Sequence, residues 1–167
     1  EHVNVPRWMR ALRSGNPVLR TAFEHGMSGI TRGTTPHLPR SLQAALHADS
    51  PDDRAFILER LTLALREFRR LFGHASHTFI PPNYTHFPEI EPVLAAAGVR
   101  HLQTASVQRL LRPDGSVRTR RTYTGDPTPA GLRCQARNVH FEPSENPSAD
   151  WVAHGLRHIQ AAFRWNR

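Results

Sequence analysis

The stretch TFIPPNYTHFPEIEPVLAAAGVRHLQT, Thr78–Thr104, carries the fold signal of this chain. Thr78-Phe79-Ile80 is a short run of strand-forming residues that ends at Pro81-Pro82-Asn83, where missing N–H groups stop strand pairing. Pro88–Ala97 predicts a helix closed by Gly98, and Val99–Thr104 predicts the next strand. Strand, helix and strand within about 25 residues make a βαβ unit, which joins two parallel strands through a right-handed crossover. The class is α/β.

Upstream, Ser50 is a good N-cap, Pro51 suits the first helical position, and Asp53 stands three residues after the cap. Leu58, Leu61, Leu65, Phe68 and Phe72 then recur at helical spacing up to Gly73, which predicts a core-facing helix. Arg54, Arg60, Arg66 and Arg70 fall off that stripe and read as a solvated face. Val5–Ser14 reads as a short helix with Trp8, Met9 and Leu12 as its apolar side, and Ser41–His47 as another. Between them the Gly-, Thr- and Pro-rich run from Gly26 to Pro39 is a loop.

Downstream the rhythm changes. Val107–Leu111 and Val117–Tyr123 flank the turn signal Pro113-Asp114-Gly115 and predict a β-hairpin inserted at the edge of the sheet. Leu132–Phe141 predicts a further strand. A last helix is expected from Asn146-Pro147, with Val152, Leu156, Ile159 and Phe163 on one face. There is no internal repeat.

The 167 residues suffice for one domain, and 38% hydrophobic with 22% charged residues is ordinary for a globular protein. No apolar run approaches the ~18 residues of a membrane span. The net charge of +8 raises nucleic acid as a partner, but all 22 basic residues are arginine, scattered from Arg7 to Arg167. A compositional bias toward arginine explains that better than a phosphate-binding surface. The single Cys134 excludes an internal disulfide framework and a cysteine-built zinc cage, and sets no compartment.

Parallel α/β sheets place their sites where strands end, at the C-terminal edge. Two exits stand out. One supplies Pro82, Asn83 and Tyr84; the other, Arg137–Pro143, supplies Arg137, Asn138 and Glu142. Prolines stiffen both exits, Asn83 both donates and accepts hydrogen bonds, and Glu142 is an acceptor or a base. Elsewhere, His74 with His77 and His154 with His158 form close pairs, but no carboxylate or cysteine joins either pair at site-like spacing.

Glu1-His2-Val3-Asn4-Val5, Trp8 and the Phe79-Ile80-Pro81-Pro82-Asn83 exit resemble the polysaccharide deacetylase-like, NodB-homology superfamily, in particular its bacterial polysaccharide (de)acetylase branch. The resemblance implies a fold that is part of a (β/α) barrel-like parallel sheet with flanking helices and an inserted β-hairpin. Residues 1–167 then form a single domain, read as incomplete. It makes His2 the second histidine of a His-x-x-x-His metal motif and carbohydrate the substrate. It also implies a divalent metal, usually zinc, held in the full-length protein by an Asp and two His for hydrolysis of an N-acetyl group. Catalytic residues proper are not assignable within this chain.

The chain departs from that pattern at two positions, with Ile80 where the resemblance expects an arginine and Asn83 where it expects a tyrosine. An isoleucine cannot orient a carboxylate, and His2 alone cannot hold zinc, which needs about three protein ligands at a catalytic site. The expectation is therefore a deacetylase-like protein whose present segment is inactive. The alternatives are a non-catalytic glycan-binding member of the same fold and, behind it, an arginine-rich nucleic-acid-binding domain.

Overall fold

The computed structural model describes residues 3–27, 30, 41–111, 116–137, 139 and 141–165. Its longest element, α3 (Pro51–Phe72), begins where Ser50 Oγ accepts the Asp53 N–H at 3.0 Å and ends at Gly73, whose φ of 72° is the left-handed cap. Two shorter helices, α1 (Val5–Arg13) and α2 (Pro17–Glu24), precede it. Each is capped by an asparagine followed closely by proline: Asn4 Oδ1 accepts from Arg7 N, and Asn16 Oδ1 from Leu19 N. Helix α2 is not among the elements expected from the sequence, although its Asn16-Pro17 start signal is of the same kind as that of α1.

The βαβ unit forms as expected. Strands β1 (Thr78–Phe79) and β3 (His101–Thr104) pair parallel, and α4 (Ile90–Ala96) lies between them in the chain. The last strand, β6 (Arg133–Ala136), joins β3 on its other side, also parallel, so the sheet order is β1-β3-β6. Leu46, Ile57, Leu61, Phe87, Ile90 and Leu102 belong to the core packed against it, each such side chain contributing roughly 1.5–3 kcal/mol on burial. A smaller cluster joins Trp8, Leu19, Ala22, Ile30 and Leu42.

Several expectations give way to tertiary structure. The hairpin of β4 (Val107–Leu111) and β5 (Val117–Arg121) is present, but it does not extend the parallel sheet. It pairs with β2 (Thr85–His86) in a second sheet ordered β2-β4-β5, with β2 and β4 parallel. The cause is a turn at Pro82–Tyr84, where Asn83 (φ 54°) and Tyr84 (φ 51°) are both left-handed and carry the chain out of the first sheet. The small sheets form no closed barrel among the described residues. β6 stops at Ala136 because β3 ends opposite it at Thr104; one more bond, Arg137 N to Thr104 O at 2.9 Å, finishes the ladder.

Ser41–His47 is a pair of turns rather than a helix. Its carbonyls are taken from outside: Asn4 N–H bonds Leu42 O, Asn4 Nδ2 bonds Ala44 O and His47 O, and Arg7 bonds Ser41 O. Helix α5 (Trp151–Trp165) starts later than expected because Asp150 accepts the Ala153 N–H, while Asn146 closes a turn on Ser148. Its apolar face is exposed, from 41% at Ile159 to 77% at Phe163. In the described chain α5 meets Phe141, whose ring is 6.2 Å from that of Trp151 and would lie 3.2 Å from a Cβ at Gly155.

The α3 stripe is covered only in part. Ile57 and Leu61 are buried, Leu58, Leu65 and Phe68 are half-buried, and Phe72 is 61% exposed. A 22-residue helix is about 33 Å long, whereas strands of two to four residues span at most about 14 Å. Arg54 is not on a solvated face: its guanidinium lies 4.8 Å from the centre of the Phe87 ring and pairs with Glu89. Pro113-Asp114-Gly115 and most of the Gly26–Pro39 run lie outside the described residues.

Candidate functional site

Because β1, β3 and β6 are parallel, their C-terminal ends share one edge, and both exits singled out in the sequence arrive there. Pro81 is fully buried and Pro82 half-buried, so the β1 exit is fixed before the left-handed pair begins. The turn swings Tyr84 back over the sheet end, where its hydroxyl accepts a long hydrogen bond of 3.4 Å from Gln103 Nε2. From the β6 exit, Arg137 NH2 donates to Glu142 Oε1 at 2.7 Å and Nε to Val139 O at 3.3 Å. The Glu142 carboxylate first, and then a hydrogen bond with Tyr84, push the Arg137 guanidinium above its ordinary pKa against slight burial.

Of the residues expected at the site, Tyr84, Arg137 and Glu142 are thus joined, Pro82 and Asn83 lie on the same turn, and Asn83 is exposed. His2 and Asn138 lie outside the described residues. Gln103 was missed; its place beside the end of β3, on the shared edge, was the available signal. Next to it Thr104 is fully buried, and its Oγ1 has no hydrogen-bond partner among the described residues.

A second polar chain lies beneath the turn. His86 is fully buried, with Nε2 3.1 Å from Glu91 Oε1 and Nδ1 3.1 Å from Gln108 Nε2. Arg120 donates to Gln108 Oε1 at 3.0 Å, which turns the Gln108 amide group toward the imidazole. Gln108 then donates to Nδ1, and the imidazole proton belongs on Nε2, facing Glu91. Two residues held in left-handed conformations cost on the order of 1–3 kcal/mol each and persist only where their surroundings over-determine them. Buried Pro81 on one side and the His86 network on the other do so here.

Beside the β1 exit an open apolar pocket of about 560 Å³ runs between the start of α1, the first half of α3 and β1. Ile57 and Leu61 form its floor, and Val5, Ile80 and Pro82 belong to its walls.

The zinc implied by the resemblance has no fitting ligand set here: no group of three or more His, Cys, Asp or Glu among the described residues is arranged to hold a metal. The His154 and His158 rings lie 4.2 Å apart between centres and tilted by 48°, His154 meets Trp151 edge-on at 5.2 Å, and His74 lies edge-on to Phe68. No described helix is long and apolar enough to cross a membrane. No family model matches the chain, and neither a curated protein nor a solved structure matches it.

Proposed function

We propose that this chain recognises a carbohydrate at the C-terminal edge of its parallel sheet, as part of a polysaccharide deacetylase-like domain of (β/α) barrel type. The observation that carries the reading is the convergence of Tyr84, Gln103, Arg137 and Glu142 from three strand exits. A sugar ring presents adjacent hydroxyls that both donate and accept, and planar side chains with several donors or acceptors suit them. Guanidinium carries five N–H donors in a fixed fork, carboxylate accepts at two oxygens, and a primary amide does both. The half-buried ring of Tyr84 adds an apolar surface for the C–H side of a sugar.

The resemblance also implies removal of an acetyl group from an N-acetyl sugar by a divalent metal, zinc above others, with His2 as one ligand. The described residues supply no seat for that ion and His2 lies outside them, so glycan binding is the reading put first. Titration calorimetry with N-acetylglucosamine oligosaccharides tests the reading. Saturable binding by the chain, weakened at least about tenfold in Arg137→Ala, is expected, with no acetate released. Absence of binding, or equal binding by Arg137→Ala, sinks it.

A further inference from the structure

One turn serves two surfaces. Pro82–Tyr84 gives Pro82 to the wall of the apolar pocket and Tyr84 to the polar cluster at the sheet edge. We propose that the ligand is amphipathic: a glycan unit held by Tyr84, Gln103, Arg137 and Glu142, carrying an alkyl or acyl chain that enters the pocket beside Ile80. The inference rests on the glycan reading above and adds a ligand class to it.

Three features of the pocket fit a hydrocarbon chain. Its volume, about 560 Å³, falls within the ~300–1,000 Å³ of small-molecule sites. Of its thirteen lining residues among those described, Arg60 alone is charged. Its guanidinium lies 5.2 Å from the centre of the Phe56 ring, itself part of the lining, and 3.6 Å from Glu59. Third, the lip is apolar and open to solvent, with Val5 47% and Ile80 56% exposed. Large aliphatic side chains left in water at the mouth of an apolar cavity mark a place where a ligand gains by removing them from water. A purely polar sugar leaves this surface wet, whereas a chain joined to the sugar covers it without any new polar contact.

The test compares methyl and octyl β-glycosides of N-acetylglucosamine, the octyl compound kept below its micelle concentration, with 1-octanol as a third probe. Each transferred methylene strengthens binding, so the octyl glycoside is expected to bind at least about tenfold more tightly than the methyl one. Ile80→Glu, at an exposed position the core does not need, is expected to bring the octyl-to-methyl ratio near one. Arg137→Ala weakens both glycosides while octanol binding persists. Equal affinity for the two glycosides in the unaltered chain overturns the inference and leaves the glycan reading standing. So does octanol binding as tightly as the octyl glycoside, because the two surfaces then do not act together. No binding of either glycoside overturns both.

Discussion

Arg7 and Arg137 each hold a carboxylate at under 3 Å, yet the two pairs are built for different ends. Arg7 is 10% exposed and makes a two-pronged pair with Asp49, Nε to Oδ2 and NH2 to Oδ1, both at 2.8 Å. Arg10 joins the same knot through Asp49 at 2.8 Å and Asp53 at 2.6 Å, and Asn4 ties the 41–47 carbonyls beneath it. This cluster replaces a helix ladder and fastens α1 to the start of α3. Arg137 and Glu142, by contrast, are 35% and 41% exposed and share a sheet edge with Tyr84. The arginine–carboxylate chemistry is the same. Burial separates the two: the Arg7 cluster ties elements of the fold together, and the Arg137 pair stands where the proposed glycan would meet it.

Breaking the buried member of the comparison has the largest expected effect. Arg7→Ala leaves Asp49 with Arg10 as its arginine partner and takes the Arg7 donor from the Ser41 carbonyl; losing such charge-assisted, part-buried hydrogen bonds costs about 1.5–3 kcal/mol. Urea denaturation followed by circular dichroism reads that loss, and a change below about 1 kcal/mol contradicts the structural role given to the knot.

Acid sharpens the same contrast. Burial works to raise the Asp53 pKa, but the Arg10 hydrogen bond and the Asp49 N–H outweigh it and hold the carboxyl below its ordinary 3.8. A group depressed in the folded state contributes stability above its unfolded pKa and loses it as pH falls through the folded value. Stability is therefore expected to hold from neutral pH down to about 4 and to fall below it. Asp53→Asn flattens that fall; an unchanged acid profile in the variant removes Asp53 from the account.

Asn83→Gly is expected to stabilise the fold by up to about 1 kcal/mol, because glycine takes a φ of 54° without strain. If thermal stability rises while glycan affinity drops, the asparagine is kept for the ligand rather than the turn. Arg137→Ala is the smallest stability change, within about 0.5 kcal/mol as for exposed ion pairs, against a large loss of binding. A drop in stability like that of Arg7→Ala would erase the distinction between the two clusters.

The legible parts of this fold were the local ones. Ser50 with Asp53, Asn4 before Val5-Pro6, and the Thr78–Thr104 βαβ pattern all specify their elements through neighbours in sequence. Strand direction brings the β1 and β6 exits to one edge, but Tyr84 reaches Gln103 there through the left-handed turn at Asn83 and Tyr84. Ser41–His47 misled because its carbonyls are claimed by Asn4 and Arg7, partners 34 to 43 residues away. The second sheet was hidden because it depends on Tyr84 adopting φ 51°, which a bulky aromatic residue rarely does and no local signal announces. The faces of α3 and α5 were read correctly as apolar, but periodicity reports which side is greasy and not what lies against it.

Cys134 offers a practical consequence. It is the sole thiol of the chain, lies in the outer strand of the parallel sheet with no exposed surface, and burial raises its pKa, so little of it is thiolate. Reaction with an aromatic disulfide reagent then waits on local opening around β6, whose Cys134 N–H and C=O are bonded to Asp126 O and Gly125 N–H, both at 2.8 Å. The labelling rate becomes a clock for opening of the strand next to the candidate site, and the proposed glycan, if it bridges Gln103 and Arg137, is expected to slow it without any engineered probe.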